Sequence, residues 1–185
     1  MAGIAGLGRL FDFGTGWAPV DLDTSNGATG KRVSLAGATG ITFLVTTGVG
    51  GSEDLVLDVQ QHTAYTSGTS NDLDSTAVAT STGVTYFYIK AETALDNDES
   101  WVKVTQSEAS ECTVVGATYG TQQKIVAIYV AADQLGDGYG WVSLNAAITT
   151  GTAQLSSCTY VLHDLASQRT PANLPNLLRP GAANA

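Results

Sequence analysis

Apolar and polar residues alternate along much of this chain with the period of two that puts every second side chain on one face of a β-strand. Ile41, Phe43 and Val45 share a face over 40–46, and Leu55, Leu57 and Val59 share a face over 54–61. Gly48 to Gly51 lies between them, so the two segments are expected to pair as a hairpin. Lys31–Leu35 reads as a short strand, Val84–Lys90 as an aromatic one, and Cys112–Val115 as a fragment. Ser100–Thr105 alternates in a way that points Val102 and Val104 inward. The strongest signal runs from Lys124 to Arg169. Ile125–Val130 is an unbroken, β-branched apolar run, the pattern of a strand covered on both faces. Trp141–Asn145 alternates after the turn Gly136-Asp137-Gly138, and Cys158–His163 comes after a second turn at Thr149-Thr150-Gly151. These three segments are expected to form the centre of the core. The class is all-β: an antiparallel β-sandwich or barrel-like domain.

The two ends read differently. Gly3, Gly6, Gly8, Gly14 and Gly16 are too many for a stable helix. Leu7, Leu10, Phe11 and Phe13 among them are too apolar for a solvated tail. Residues 1–16 are therefore expected to be an arm that docks on something. The domain is expected over 17–169, opening on Trp17–Leu22 with Pro19 at an edge position. Residues 170–185 are expected to form a second arm, held extended by Pro171, Pro175 and Pro180 and carrying Leu174, Leu177 and Leu178 for contact. Between these, His62–Gly83 reads as a long loop with one helical turn near Asp72–Ala77.

Charge narrows the choice of partner. Eight Lys and Arg against a formal charge of −9 leave no basic stripe to offset phosphates, which argues against direct nucleic-acid binding. Only 14% of residues are charged, and a surface of small uncharged side chains suits packing against protein. No apolar stretch reaches the ~18 residues of a membrane span, and the first residues lack a secretory pattern. The expectation is a soluble chain made in the cytoplasm. Cys112 and Cys158 are expected as buried free thiols.

Candidate chemistry is thin. Gly27-Ala28-Thr29-Gly30-Lys31 has the wrong spacing for a phosphate loop and is followed by Arg32, so it reads as a turn into a strand. His62 and His163 are the only histidines, and no serine sits in a nucleophile elbow. His163 reads as a structural histidine at a strand end, with a pairing to either cysteine left open. Asp96-Asn97-Asp98-Glu99 offers hard oxygen ligands without the offsets of a calcium loop. No catalytic residue, cofactor or metal site is assigned. Trp101 and Trp141 fall out of phase with the apolar positions of their strands and are expected to face outward, covered by a loop or by a neighbouring subunit.

Several segments together resemble small virion proteins of tailed bacteriophages. They are the opening Trp17–Leu22, then Ile128-Tyr129-Val130, Asp137–Leu144, Gly151–Leu162, Arg169 and Pro171-Ala172-Asn173-Leu174-Pro175. That resemblance implies a cement or decoration subunit that binds the major capsid protein and other copies of itself, as a dimer or trimer on the outer surface of the capsid. Leu7, Leu10, Phe11, Phe13, Leu174, Leu177 and Leu178 would be its contact residues, with Trp101 and Trp141 behind them. A tail-tube, tail-terminator or head–tail joining protein, and a carbohydrate-binding module using either tryptophan, are the alternatives.

Overall fold

The computed structural model describes residues 6–73, 83–105, 111–148 and 151–166. Among these, eleven strands run in chain order: β1 (Phe11–Asp21), β2 (Val33–Ser34), β3 (Gly40–Thr47), β4 (Leu55–His62), β5 (Ser70–Asp72), β6 (Tyr86–Glu92), β7 (Val102–Thr105), β8 (Cys112–Val114), β9 (Gln123–Ala131), β10 (Trp141–Ile148) and β11 (Leu155–His163). One helical turn, α1 (Gly116–Tyr119), precedes β9. Sheet A has the order β1-β11-β3-β9-β6-β7; sheet B has β2-β10-β4-β5, with β8 also paired to β4. All strand pairs are antiparallel. The protein is an all-β sandwich of two packed sheets.

The alternating rows close the sandwich. Ile41, Phe43 and Val45 of β3, Val126, Ile128 and Val130 of β9, and Tyr160 and Leu162 of β11 are buried on the inner face of sheet A. Leu55, Leu57 and Val59 of β4 and Val142 and Leu144 of β10 are buried on the inner face of sheet B. All belong to one hydrophobic cluster. Each such side chain contributes roughly 1.5–3 kcal/mol on leaving water, and together they hold the layers. Lys124 ends the inner row of β9. Its Nζ donates to the Gln122 carbonyl at 2.9 Å, and burial pulls its pKa down to about 8.

Two expectations from the sequence give way to the structure. The segments over 40–46 and 54–61 do not form a hairpin: β3 pairs with β11 and β9, while β4 pairs with β10, β5 and β8 in the other sheet. Alternation fixes which face is buried but not which strand lies alongside, and these two apolar rows both belong to the core between the sheets. Strand β9 is not covered on both faces. Val126, Ile128 and Val130 are buried, but Tyr129 on the opposite face is 48% exposed. Strands β9 and β11 flank β3 and β10 lies in sheet B, and all three line the core between the sheets, as expected. Val102 and Val104 do lie on the inner face, opposite Ile89 and Phe87, but Val102 is 50% exposed because β7 is the last strand of sheet A and little covers its end; Val104 is half-buried.

The arm boundary at residue 16 also falls inside a strand. Residues 11–16 belong to β1, which pairs with β11 from Phe11↔His163 to Asp21↔Leu155. The glycines there answer to packing. Gly14 lies opposite Tyr160, and a Cβ on it would collide with the tyrosine hydroxyl. A Cβ on Gly16 would come within 2.8 Å of the Cys158 sulfur. These glycines let an edge strand lie flat over large β11 side chains. Pro19 sits in this edge strand, where two register shifts interrupt the pairing.

Candidate interaction surface

The two sheets treat their outer faces differently. On sheet B, the outer row of β4 and β10 is tied down by polar contacts. His62 is buried, with Nδ1 2.7 Å from Ser70 Oγ and Nε2 2.8 Å from Ser143 Oγ. Arg32 donates to the carbonyls of Ala64 (2.8 Å) and Ser67 (2.9 Å) and to Ser70 Oγ (3.1 Å), so the turn over 63–70 is pinned across the sheet. Tyr65 lies on Trp141 with ring centroids 5.3 Å apart. Asn145 joins the outer row to its surroundings: its Nδ2 donates to Asp58 Oδ2 at 3.1 Å, and its Oδ1 accepts from the Gly30 N–H at 3.0 Å. This face is closed by the chain itself.

The outer face of sheet A has no such cover among the described residues. Register sets Phe13, Val161, Thr42 and Tyr129 in one line across β1, β11, β3 and β9. The next line holds Thr159, Leu44, Ala127 and Tyr88, ending at Lys103 of β7. Phe13 is 55% exposed and Leu10, in the turn before β1, equally so. Phe11, Tyr86 and Tyr88 are also exposed. Tyr86 and Tyr88 meet edge to face at 5.8 Å, Tyr129 lies 5.8 Å from the His163 ring, and Lys103 Nζ stands 4.0 Å over Tyr86. A hollow of about 470 Å3 opens between Tyr86, Tyr88, Tyr129, His163 and Asp164, floored by Ala127. Aromatic bodies with polar tips, half in water, are the composition of protein-contact surfaces.

The residues singled out from sequence fall in several places. Leu7, half-buried, bridges to Phe11 while the Leu10 N–H bonds to the Gly6 carbonyl at 2.8 Å, so residues 6–11 form a turn into β1. That turn leaves Leu10, Phe11 and Phe13 exposed at one end of sheet A. Trp101 is 46% exposed beside β7, with Lys90 Nζ 5.3 Å from its ring centroid. Trp141 is on the opposite sheet, half-buried under Tyr65. Leu174, Leu177 and Leu178 lie outside the described residues, as does much of the turn expected over 72–77. Alternation alone does not single out Tyr86, Tyr88 and Tyr129. Their signal is present all the same: tyrosines alternating with Phe87 and Ile89, and one inside an apolar run, mark an outward row that is aromatic instead of charged.

Cys112 and Cys158 are buried thiols. Cys158 faces the core, and burial pushes its thiol up to about 12. His163 is an odd number of residues further along the same strand, on the opposite face, bonded to Thr42 Oγ1 at 2.7 Å. The two therefore do not meet as a nucleophile–base pair. His62 does touch two serines, but burial and the nearby Arg32 charge pull its pKa down to about 4. The ring is neutral at physiological pH and serves both neighbours through one donor and one acceptor nitrogen. The carboxylates of Glu92, at the end of β6, and of Asp96, Asp98 and Glu99 in the loop after it lie within 4.8 Å of one another. Glu99 Oε1 accepts from the Asp96 N–H at 2.6 Å, and the Asp98 charge raises the pKa of Glu92. Such oxygens are of the kind a hard divalent cation takes.

Neither a protein-family model, nor a curated protein, nor a solved structure matches this chain.

Proposed function

We propose that this chain is a non-catalytic structural subunit of a virion, a cement or decoration protein that stabilises contacts between capsomers. Its supports are the resemblance carried by Trp17–Leu22, Asp137–Leu144 and Gly151–Leu162, and one observation. That observation is the bare apolar end of sheet A, where Leu10, Phe11 and Phe13 stand exposed in a chain with only 14% charged residues. Buried against a partner, each such side chain adds roughly 1.5–3 kcal/mol. A shell stressed by packaged DNA gains from a small clamp that buries surface across several capsomers.

The test adds purified protein to undecorated capsids and images them by cryo-electron microscopy. Ordered density between capsomers, lost in a Leu10→Ser/Phe13→Ser variant, is the expected result. No density on shells, with six-fold rings of free protein instead, would move the protein to the tail or the head–tail joint. A carbohydrate-binding module is the second reading, favoured by the ring-lined hollow of Tyr86, Tyr88 and Tyr129 with His163 and Asp164 on its rim. Retention on polysaccharide that disappears in Tyr86→Ala would select it.

A further inference from the structure

The hollow on the outer face of sheet A joins aromatic rings to a carboxylate. Tyr86, Tyr88, Tyr129 and His163 line it, and so does Asp164. In an unbroken strand Asp164 would point away from the face that His163 occupies. Its φ of +46°, in the left-handed region that aspartate tolerates, ends the alternation, and both residues line the hollow. Asp164 is fixed there. Its N–H donates to the Leu10 carbonyl at 2.8 Å, and its Oδ2 accepts from Thr39 Oγ1 at 3.1 Å.

Ring geometry and charge together narrow the occupant. Tyr86 and Tyr88 stand at 85° to each other and Tyr129 is tilted 55° against His163, so neither pair makes one flat platform. Rings set as walls suit a compact inserted group. Tyrosine faces attract cations, and this face already shows the contact: Lys103 Nζ stands 4.0 Å over Tyr86. Lys103 is on β7 and Asp164 follows β11, four strand spacings or about 19 Å away across the sheet. The carboxylate end of the hollow is thus open to a cation from outside, on a chain whose formal charge is −9. Of the two cationic side chains, arginine fits better. Its guanidinium is flat and weakly hydrated, so it stacks on a ring, and its fork of N–H groups matches a carboxylate. Arginine and tyrosine also concentrate at the centres of protein interfaces.

We propose that the hollow receives an arginine side chain of a partner protein, its guanidinium stacked on Tyr129 and hydrogen-bonded to the Asp164 carboxylate, with Tyr86 and Tyr88 against its stem. This goes beyond the capsid reading and holds for any protein partner. Leu10, Phe11 and Phe13 remain for apolar contact beside it.

The experiment needs no capsid, so its failure is separate from that of the capsid reading. N-acetyl-arginine amide and its citrulline analogue are titrated into the full-length protein, and the tyrosine ring resonances are followed by NMR. Citrulline has arginine's shape without its charge. The arginine probe should shift Tyr86, Tyr88 and Tyr129 along one saturation curve and leave Tyr65, on sheet B, unmoved. The citrulline probe should bind about ten-fold more weakly. Asp164→Asn should weaken arginine about five-fold and leave citrulline unchanged, because only the charged group loses a charged partner. Equal binding of arginine and citrulline to the wild type would overturn the proposal and leave the hollow merely apolar. So would the absence of a saturable response to arginine. If cellohexaose moves the three tyrosines when arginine does not, the carbohydrate reading takes its place.

Discussion

The outer faces of the two sheets are built on the same backbone pattern and end in opposite states. Sheet B carries His62, Ser143, Asn145 and Asp58 outward; Arg32 holds the turn over 63–70, whose Ser70 bonds His62, His62 bonds Ser143, and Asn145 bonds Asp58. Sheet A carries Phe13, Tyr86, Tyr88 and Tyr129 outward, and these remain half in water. Buried polar groups must be satisfied by directed partners, so an outer face made of them requires its own cover. Rings need only apolar area, which any partner of suitable shape can supply. Among the described residues sheet A has no cover of its own, and that face is where contact with something else is to be sought.

The sheet B network is most vulnerable at His62. His62→Ala removes a ring bonded to two serines and leaves the buried Ser143 hydroxyl without its partner. A loss of roughly 2–4 kcal/mol in urea unfolding is expected, with Trp141 fluorescence shifting to the red as Tyr65 loosens.

Acid should weaken the same network. His62 titrates at about 4 in the folded chain against an ordinary 6.5, so on acidification the unfolded chain takes up the proton first. The stability due to the neutral ring is complete above about pH 6.5 and is lost progressively as pH falls towards 4. The whole step amounts to about 2–3 kcal/mol. Denaturation midpoints measured across that window should fall in the wild type and lose this component in His62→Ala.

The smallest effect is expected on sheet A. Tyr129→Ser removes a large ring from the exposed face and should cost no more than about 0.5 kcal/mol of stability. A larger loss in the same urea titration would mean that the sheet A rings hold the fold together as the sheet B network does.

Much of the core was legible in the sequence, because burial on one face leaves a period of two. The inner rows of β3, β4 and β10 are the residues that alternation selects, and the two cysteines are buried thiols as their surroundings suggested. Strand partnership was not legible. The apolar rows of β3 and β4 carry no mark of belonging to different sheets, and the hydrogen bonds that decide it come from β9, β10 and β11, far along the chain. The apolar run of β9 misled for a related reason: an outward Tyr129 looks the same in sequence whether covered or bare. Strand β1 was hidden by its glycines, which read as loss of structure and in fact make room for Tyr160 and Cys158. Of the candidate surface, Leu10, Phe11 and Phe13 were visible as apolar residues with no core to join. The tyrosines became a surface only when register put them beside Phe13.

Radical footprinting of the protein, free and bound to capsids, reads side-chain exposure on both sheets at once and so decides which face makes the contact. If the bare end of sheet A is the contact surface, Leu10, Phe11 and Phe13 lose reactivity on the shell while Tyr65 and Trp141 keep theirs. Protection of Tyr65 and Trp141 with Leu10 and Phe13 unchanged would contradict that assignment, and would place the contact on the face that the chain has closed for itself.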